Sequence, residues 1–275
     1  MNKLTAEIFE IKRFAVHDGD GIRTTVFFKG CPMRCVWCHN PEGLSKGPQI
    51  AFYKHKCIGC GECKEKGFTV EDCLGDARVL YGKTVTVEQL MPALLEDKDF
   101  YDNTGGGVTL SGGECLLQAD FCAELLKSLK ANGIHTAVDT CGFVSRESIN
   151  KVIPYTDVFL YDIKAYSEDV HIRCTGVSNK RILDNLKYLD SIGMNIEIRI
   201  PLVPEYNEFE IEGIAKFLSE LKNITKIRVL PYHSYASSKY EALNMKNTLP
   251  PKSPTDIEMD QAKSLIRSIT NLDLG

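Results

Sequence analysis

The stretch Arg23-Thr-Thr-Val-Phe-Phe-Lys29, then Gly30, then Cys31-Pro-Met-Arg-Cys35-Val-Trp-Cys38, sets the frame for the whole chain. Its first half is β-branched and aromatic and stops at a glycine, so it predicts a strand. Its second half places three cysteines in a C-x3-C-x2-C pattern on the loop leaving that strand. Three thiolates on one tight loop can hold three irons of a 4Fe–4S cube and leave the fourth iron open. A fully ligated electron-transfer cluster uses four cysteines. With His39 the same motif also fits a Cys3His zinc site, and taken alone it leaves both metals open.

Outward from this motif, strand and helix patterns alternate. Val108–Ser111 is a short apolar run, followed by Gly112-Gly113 and a helical pattern over Gln118–Asn132 that ends at Gly133. Thr136–Asp139, Asp157–Asp162, Asn195–Pro201 and Lys226–Pro231 predict four further strands. Helical patterns separate most of them, clearest at Arg181–Ser191 and Glu210–Leu221, with a last one near Thr255–Thr270. Such alternation predicts parallel βαβ units with right-handed crossovers. Six units make a partial (β/α)6 TIM-like barrel, an α/β fold; the pattern alone also permits an open doubly wound sheet.

The strand ends favour the barrel. Cys31, Glu114, Asp139, Asp162 with Lys164, Arg199 and His233 recur where strands finish, and in (β/α) barrels the active site collects at that rim. Glu197 and Arg199 lie two apart in an apolar strand and so share a face. They point into a barrel mouth, or they form an ion pair on an exposed edge strand.

Composition narrows the function classes. The chain has 275 residues, 43% hydrophobic and 25% charged, enough for one large domain or one domain with a small insert. No apolar run approaches the roughly 20 residues that span a bilayer, and the mixed charges of Met1–Phe14 read as neither signal nor anchor. A net charge of −4 without a Lys/Arg cluster gives no reason to expect nucleic acid. Of the 11 cysteines, seven crowd into Cys31–Cys73. In a reducing cytosol clustered thiols point to metal ligands rather than disulfides. Cys115, Cys122, Cys141 and Cys174 are scattered and read as packing residues.

C-x3-C-x2-C after the first strand resembles the signature of the radical S-adenosylmethionine (SAM) superfamily. Further segments resemble its glycyl radical enzyme activating enzymes across nearly the whole chain. These are Asp18-Gly-Asp-Gly-Ile-Arg23, Cys38-His-Asn-Pro-Glu42, Gly106-Gly-Val-Thr-Leu-Ser-Gly-Gly-Glu114, Asp139-Thr140 with Gly142, Asp162-Ile-Lys164, Ile198-Arg-Ile-Pro-Leu-Val-Pro204 and Pro231-Tyr-His233. The chain departs from the resembling pattern at Asp20 and Cys115, where proline is usual, and at Glu205, where glycine is usual.

The resemblance implies that Cys31, Cys35 and Cys38 hold a 4Fe–4S cluster and that Trp37 walls the adenine of SAM. Gly112 and Gly113 would let the backbone approach the methionyl group beside Glu114. Lys164, Arg199 and His233 would hold the ribose and carboxylate by charge-assisted bonds. Asp139, Thr140 and Asp162, with the Leu160 carbonyl, would form a Na+ or K+ site. For Asp139 and Asp162, helix capping is the competing reading.

Residues 50–85 break the βα rhythm and are read as an insert in a barrel made of 1–49 and 86–275. Cys57-Ile-Gly-Cys60-Gly-Glu-Cys63 is the C-x2-C-x2-C opening of a bacterial ferredoxin motif, and Cys73 supplies a fourth thiol. The resemblance makes this a shortened ferredoxin-like insert with one auxiliary 4Fe–4S cluster; a zinc knuckle fits the same four residues.

The expected activity is reductive cleavage of SAM to a 5′-deoxyadenosyl radical that takes a Cα hydrogen from a glycine of a partner enzyme. The implied partners are a glycyl radical dehydratase, decarboxylase or lyase, a hydroxyproline dehydratase being one guess from the shortened insert, and a flavodoxin or ferredoxin-type reductant. A radical SAM enzyme acting on a small molecule is the alternative. Oxygen-labile clusters imply an anaerobic cytoplasm, and no membrane or nucleic-acid partner is expected.

Overall fold

The computed structural model describes residues 3–275. In chain order, β1 (Thr5–Ala15) and β2 (Arg23–Phe28) pair antiparallel, and β3 (Gln49–Phe52) and β4 (Arg78–Tyr81) form a separate two-stranded ribbon. β5 (Lys83–Thr86) then returns to β1. Two helices, α1 (Val87–Leu95) and α2 (Lys98–Thr104), lead to β6 (Gly107–Gly112), followed by α3 (Ala119–Ala131) and β7 (His135–Thr140). Next come α4 (Arg146–Val152), β8 (Val158–Asp162), α5 (Glu168–Thr175), α6 (Lys180–Ser191) and β9 (Ile196–Leu202). The chain finishes with α7 (Ile211–Ser219), β10 (Ile224–Pro231), α8 (Ser237–Ala242) and α9 (Asp256–Ile269).

The six strands read from the sequence all form, as β2, β6, β7, β8, β9 and β10. They lie in that order and every neighbouring pair is parallel. A doubly wound sheet reverses its strand order part-way; this one does not, so it is a singly wound partial barrel. On the far side of β2 the sheet continues into β1 and β5 instead of closing onto β10.

Burial explains why these runs are strands. β2 and β6 are covered on both faces: Val26, Phe28, Val108 and Leu110 are fully enclosed, and Thr24, Thr25 and Thr109 are buried with them. Helices seal the outside. α3 packs Phe121, Cys122, Leu125, Leu126 and Leu129 inward at helical spacing and stops at Gly133, whose φ of +72° takes the left-handed turn.

β9 lies between β8 and β10, so Glu197 and Arg199 are not on an edge strand, and they do not pair with each other. Glu197 receives the Arg228 guanidinium from β10 at 2.7 Å, and Arg228 also reaches Asp20 at 2.9 Å. Among the described residues no helix is long and apolar enough to cross a membrane.

Candidate active site

The three-cysteine loop leaves β2 at the carboxyl rim of the barrel and is pinned from two sides. On one side the Arg34 and Val36 amides donate to the Thr175 and Cys174 carbonyls at the end of α5, at 2.8 and 2.9 Å. Terminal helix carbonyls lack intrahelical partners, so this bonding satisfies both segments. On the other side the Tyr240 hydroxyl of α8 donates to the Cys38 carbonyl at 3.1 Å, and Thr248 donates to the Val36 carbonyl at 3.0 Å. Lys239 meets the buried Glu42 at 2.5 Å.

Cys31, Cys35 and Cys38 are free thiols. Burial pushes the Cys35 thiol up and the Cys38 thiol up to about 11. Cys31 moves the other way, because the Cys141 side chain hydrogen-bonds its sulfur. No group of three His, Cys, Asp or Glu side chains among the described residues is placed to hold a single metal ion. His39 is turned edge-on to His233, with ring centroids 4.4 Å apart.

Two ion pairs lie beside the loop. Lys164 is 2.8 Å from Asp162, and Arg199 is 3.2 Å from Asp139, which also accepts from Ser111 at 2.6 Å. Neither aspartate caps a helix; Ser145 caps α4, and the residue preceding α5 is Ser167. Burial works against the Lys164 ammonium, yet Asp162 and Cys35 hold it charged and raise its pKa. Burial pushes Asp139 up to about 6 against the pull of Arg199. Arg199 Nε and His233 Nδ1 are buried without a protein partner. An unsatisfied buried polar atom costs about 1–3 kcal/mol, so these two nitrogens suit a ligand bearing carboxylate or hydroxyl groups. The three free thiols of the loop fit a cluster with one open iron.

Glu114 and Thr140 meet beneath the rim. The Glu114 carboxylate is fully buried and turned under the rim, where it accepts from the Leu116 and Cys141 amides at 3.0 and 2.8 Å. The Thr140 hydroxyl donates to that carboxylate, within 2.9 Å of both its oxygens, and accepts from the Gly142 amide at 3.0 Å. Gly112 and Gly113 serve the backbone crossing. A Cβ on Gly112 would lie 2.2 Å from the Phe28 nitrogen, and one on Gly113 would lie 2.3 Å from the Gly30 carbonyl oxygen. The Gly113 and Glu114 amides donate to the Phe28 and Gly30 carbonyls at 2.8 and 2.7 Å, which engages them within the protein.

Trp37 is buried in a small second core with Ala165, Val170, Cys174, Val203 and Tyr232. Cys141 is buried in the core, as its packing reading expects, and its amide donates to Glu114 at 2.8 Å. Cys115, Cys122 and Cys174 are buried in the core, and the Cys115 thiol donates to the Leu110 carbonyl at 3.6 Å.

Away from the rim, Cys57, Cys60, Cys63 and Cys73 line one small cavity together with Phe52, Phe68 and Ala77. All four are free thiols.

Residues 25–218 match the Radical SAM superfamily. A trans-4-hydroxy-L-proline dehydratase activating enzyme of Clostridioides difficile is 39% identical over 268 residues, covering 87% of this chain and 88% of that protein. A choline trimethylamine-lyase activating enzyme of Oleidesulfovibrio alaskensis is 36% identical, covering 94% of each. Among solved structures, a domain of a pyruvate-formate lyase-activating enzyme from Bacteroides vulgatus superposes with a TM-score of 0.53 at 30% identity, covering 62% of this chain and 98% of that one. Rim cysteines, buried cationic partners and full-length relatives agree: the chain belongs to the glycyl radical enzyme activating enzymes of the radical SAM superfamily.

Proposed function

We propose that this protein activates a glycyl radical dehydratase, with a trans-4-hydroxy-L-proline dehydratase as the first partner to test, and that Cys31, Cys35 and Cys38 are its cluster ligands. The observation that carries the site assignment is the Lys164 ammonium, buried within electrostatic reach of Cys35 and tied to Asp162. A 4Fe–4S cluster held by these three cysteines would supply the electron for reductive cleavage of SAM, the source of the radical used on the partner's glycine.

The chain's own residues bind and orient. Arg199 and His233 turn their unpartnered nitrogens to the cofactor's carboxylate and ribose, with Lys164 beside them. Trp37 backs the adenine from beneath the loop. Gly112 and Gly113 keep β6 close to β2 so that the methionyl group lies along the strand end, and Glu114 acts through its buried carboxylate as a brace. Asp139, Thr140 and Asp162, with the Leu160 carbonyl, are the oxygen donors for Na+ or K+. Residues 50–85, apart from the β5 residues that join the main sheet, form a shortened ferredoxin-like insert in which Cys57, Cys60, Cys63 and Cys73 hold one auxiliary 4Fe–4S cluster, supported by their common cavity. A flavodoxin or ferredoxin-type protein is the reductant, and the anaerobic cytoplasm is the setting.

The test is anaerobic incubation of the reconstituted protein, SAM and a reductant with the dehydratase. A glycyl radical EPR signal on the dehydratase and stoichiometric methionine release are expected. SAM cleavage without a glycyl radical on that or any other glycyl radical enzyme would reject protein activation and favour a small-molecule substrate. Absence of iron after reconstitution would reject the cluster assignment itself.

A further inference from the structure

His233 lies just beyond β10 at the carboxyl rim, and its Nδ1 is buried without a protein partner. The torsion that turns an imidazole is broad, so a ring with no bond at Nδ1 takes its orientation from what packs on it. Two rings do so here. Tyr235 stacks on it, with centroids 4.3 Å apart and planes 28° apart, and His39 meets it edge-to-face at 4.4 Å and 89°.

We propose that Tyr235 is a positioning residue for the cofactor site, its ring holding the His233 imidazole in the orientation that serves SAM. This rests on the assignment of His233 to SAM.

Burial does not explain the place of Tyr235, because the residue is 81% exposed. Its backbone, in contrast, is held on both sides. Before it, the Tyr232 amide donates to the Leu202 carbonyl at 3.2 Å, and the Tyr232 hydroxyl donates to the Pro250 carbonyl at 2.7 Å. After it, Ala236 is buried, and the Ser237 amide and hydroxyl both donate to the Ser234 carbonyl, at 3.1 and 2.8 Å. A solvent-facing ring on so fixed a segment keeps its stacked contact. A stacked neighbour resists tilting of the imidazole plane, since tilting separates the two faces and forfeits their contact.

The test is anaerobic titration calorimetry of SAM into the reconstituted holoenzyme, with Tyr235→Phe and Tyr235→Leu, each made alone and with His233→Ala. An exposed side chain can be replaced without opening a cavity in the core, so iron content should match wild type in both single variants. Tyr235→Leu should bind SAM about two- to tenfold more weakly, the range for one aromatic pair. Tyr235→Phe keeps the ring and should bind like wild type. In the His233→Ala background Tyr235→Leu should cause no further loss. Unchanged affinity in Tyr235→Leu overturns the proposal, as does an equal loss in Tyr235→Phe. The same loss from Tyr235→Leu with and without His233 shows that Tyr235 does not act through that ring, and also overturns it. Wild-type affinity in His233→Ala alone would instead reject the assignment of His233 to SAM, a separate outcome.

Discussion

Arg199 on β9 reaches over β8 to Asp139 on β7, with 3.2 Å between guanidinium and carboxylate, so one ion pair ties three strands of the barrel at the rim. Its Nη2 also points to the His17 carbonyl at 3.4 Å, while Nε has no protein partner. A planar fork can hold Asp139 and a second acceptor at once; a lysine cannot. Arg199→Ala should therefore weaken SAM binding to the holoenzyme. A charge-assisted hydrogen bond is worth about 1.5–3 kcal/mol, roughly ten- to hundredfold in affinity. Arg199→Lys should fall between. Anaerobic titration calorimetry measures this directly, and an unchanged affinity in the alanine variant would remove Arg199 from the cofactor site.

The sequence made the barrel readable because its strands are buried on both faces. Val158–Tyr161 is an uninterrupted apolar run, and in Val108–Ser111 the polar residues Thr109 and Ser111 are themselves buried. β1 was harder to see. Its burial alternates and then shifts at a bulge between Ile8 and Glu10, so Thr5–Ala15 mixes Lys, Glu and Arg with its apolar residues. The rim cysteines and charges could be read because they fall at strand ends. Their supports could not. Lys239 and Glu42 lie 197 positions apart, and nothing local in either segment announces the partner. The inward turn of Glu114 is equally silent, since a carboxylate after two glycines reads as a ligand until its donors are seen.

That distant pair carries the second prediction. Lys239 meets Glu42 just after the three-cysteine loop, and Tyr240 on the same helix holds the Cys38 carbonyl. Lys239→Met leaves a buried carboxylate without its cation, the kind of change that costs about 3–5 kcal/mol. Tyr240→Phe removes one hydrogen bond, worth about 1 kcal/mol. Iron loss from the SAM-responsive cluster to a chelator should be much faster in Lys239→Met and modestly faster in Tyr240→Phe. Equal rates in all three proteins would show that α8 does not secure the loop.

The four cysteines around the second cavity permit a sharper separation. Cys57→Ala with Cys73→Ala should lower iron from about eight to about four per chain if each site holds a four-iron cluster. The signal that responds to SAM should persist, because no residue of that cavity is among those pinning Cys31–Cys38. Iron analysis and EPR with and without the cofactor check both halves. Loss of the SAM-responsive signal would mean that these thiols serve the rim site, and zinc recovered with the wild type in place of the second cluster would return the insert to a structural knuckle.

Glu205 is exposed and adopts a φ of +70° at a position where resembling sequences carry glycine. A left-handed backbone costs a residue with a Cβ roughly 1–2 kcal/mol. Glycine removes that strain but adds about 0.5–1 kcal/mol of unfolded-state entropy. The two oppose each other, and strain is the larger, so Glu205→Gly should stabilise the protein by about 0.5–1 kcal/mol. For a domain of this size that is a rise in melting temperature of roughly 1–4 °C. Glu205→Ala keeps the Cβ and the strain, and should give no such rise. Anaerobic thermal unfolding of the loaded protein distinguishes the two, and a gain in both variants would assign the effect to the lost charge instead of the backbone.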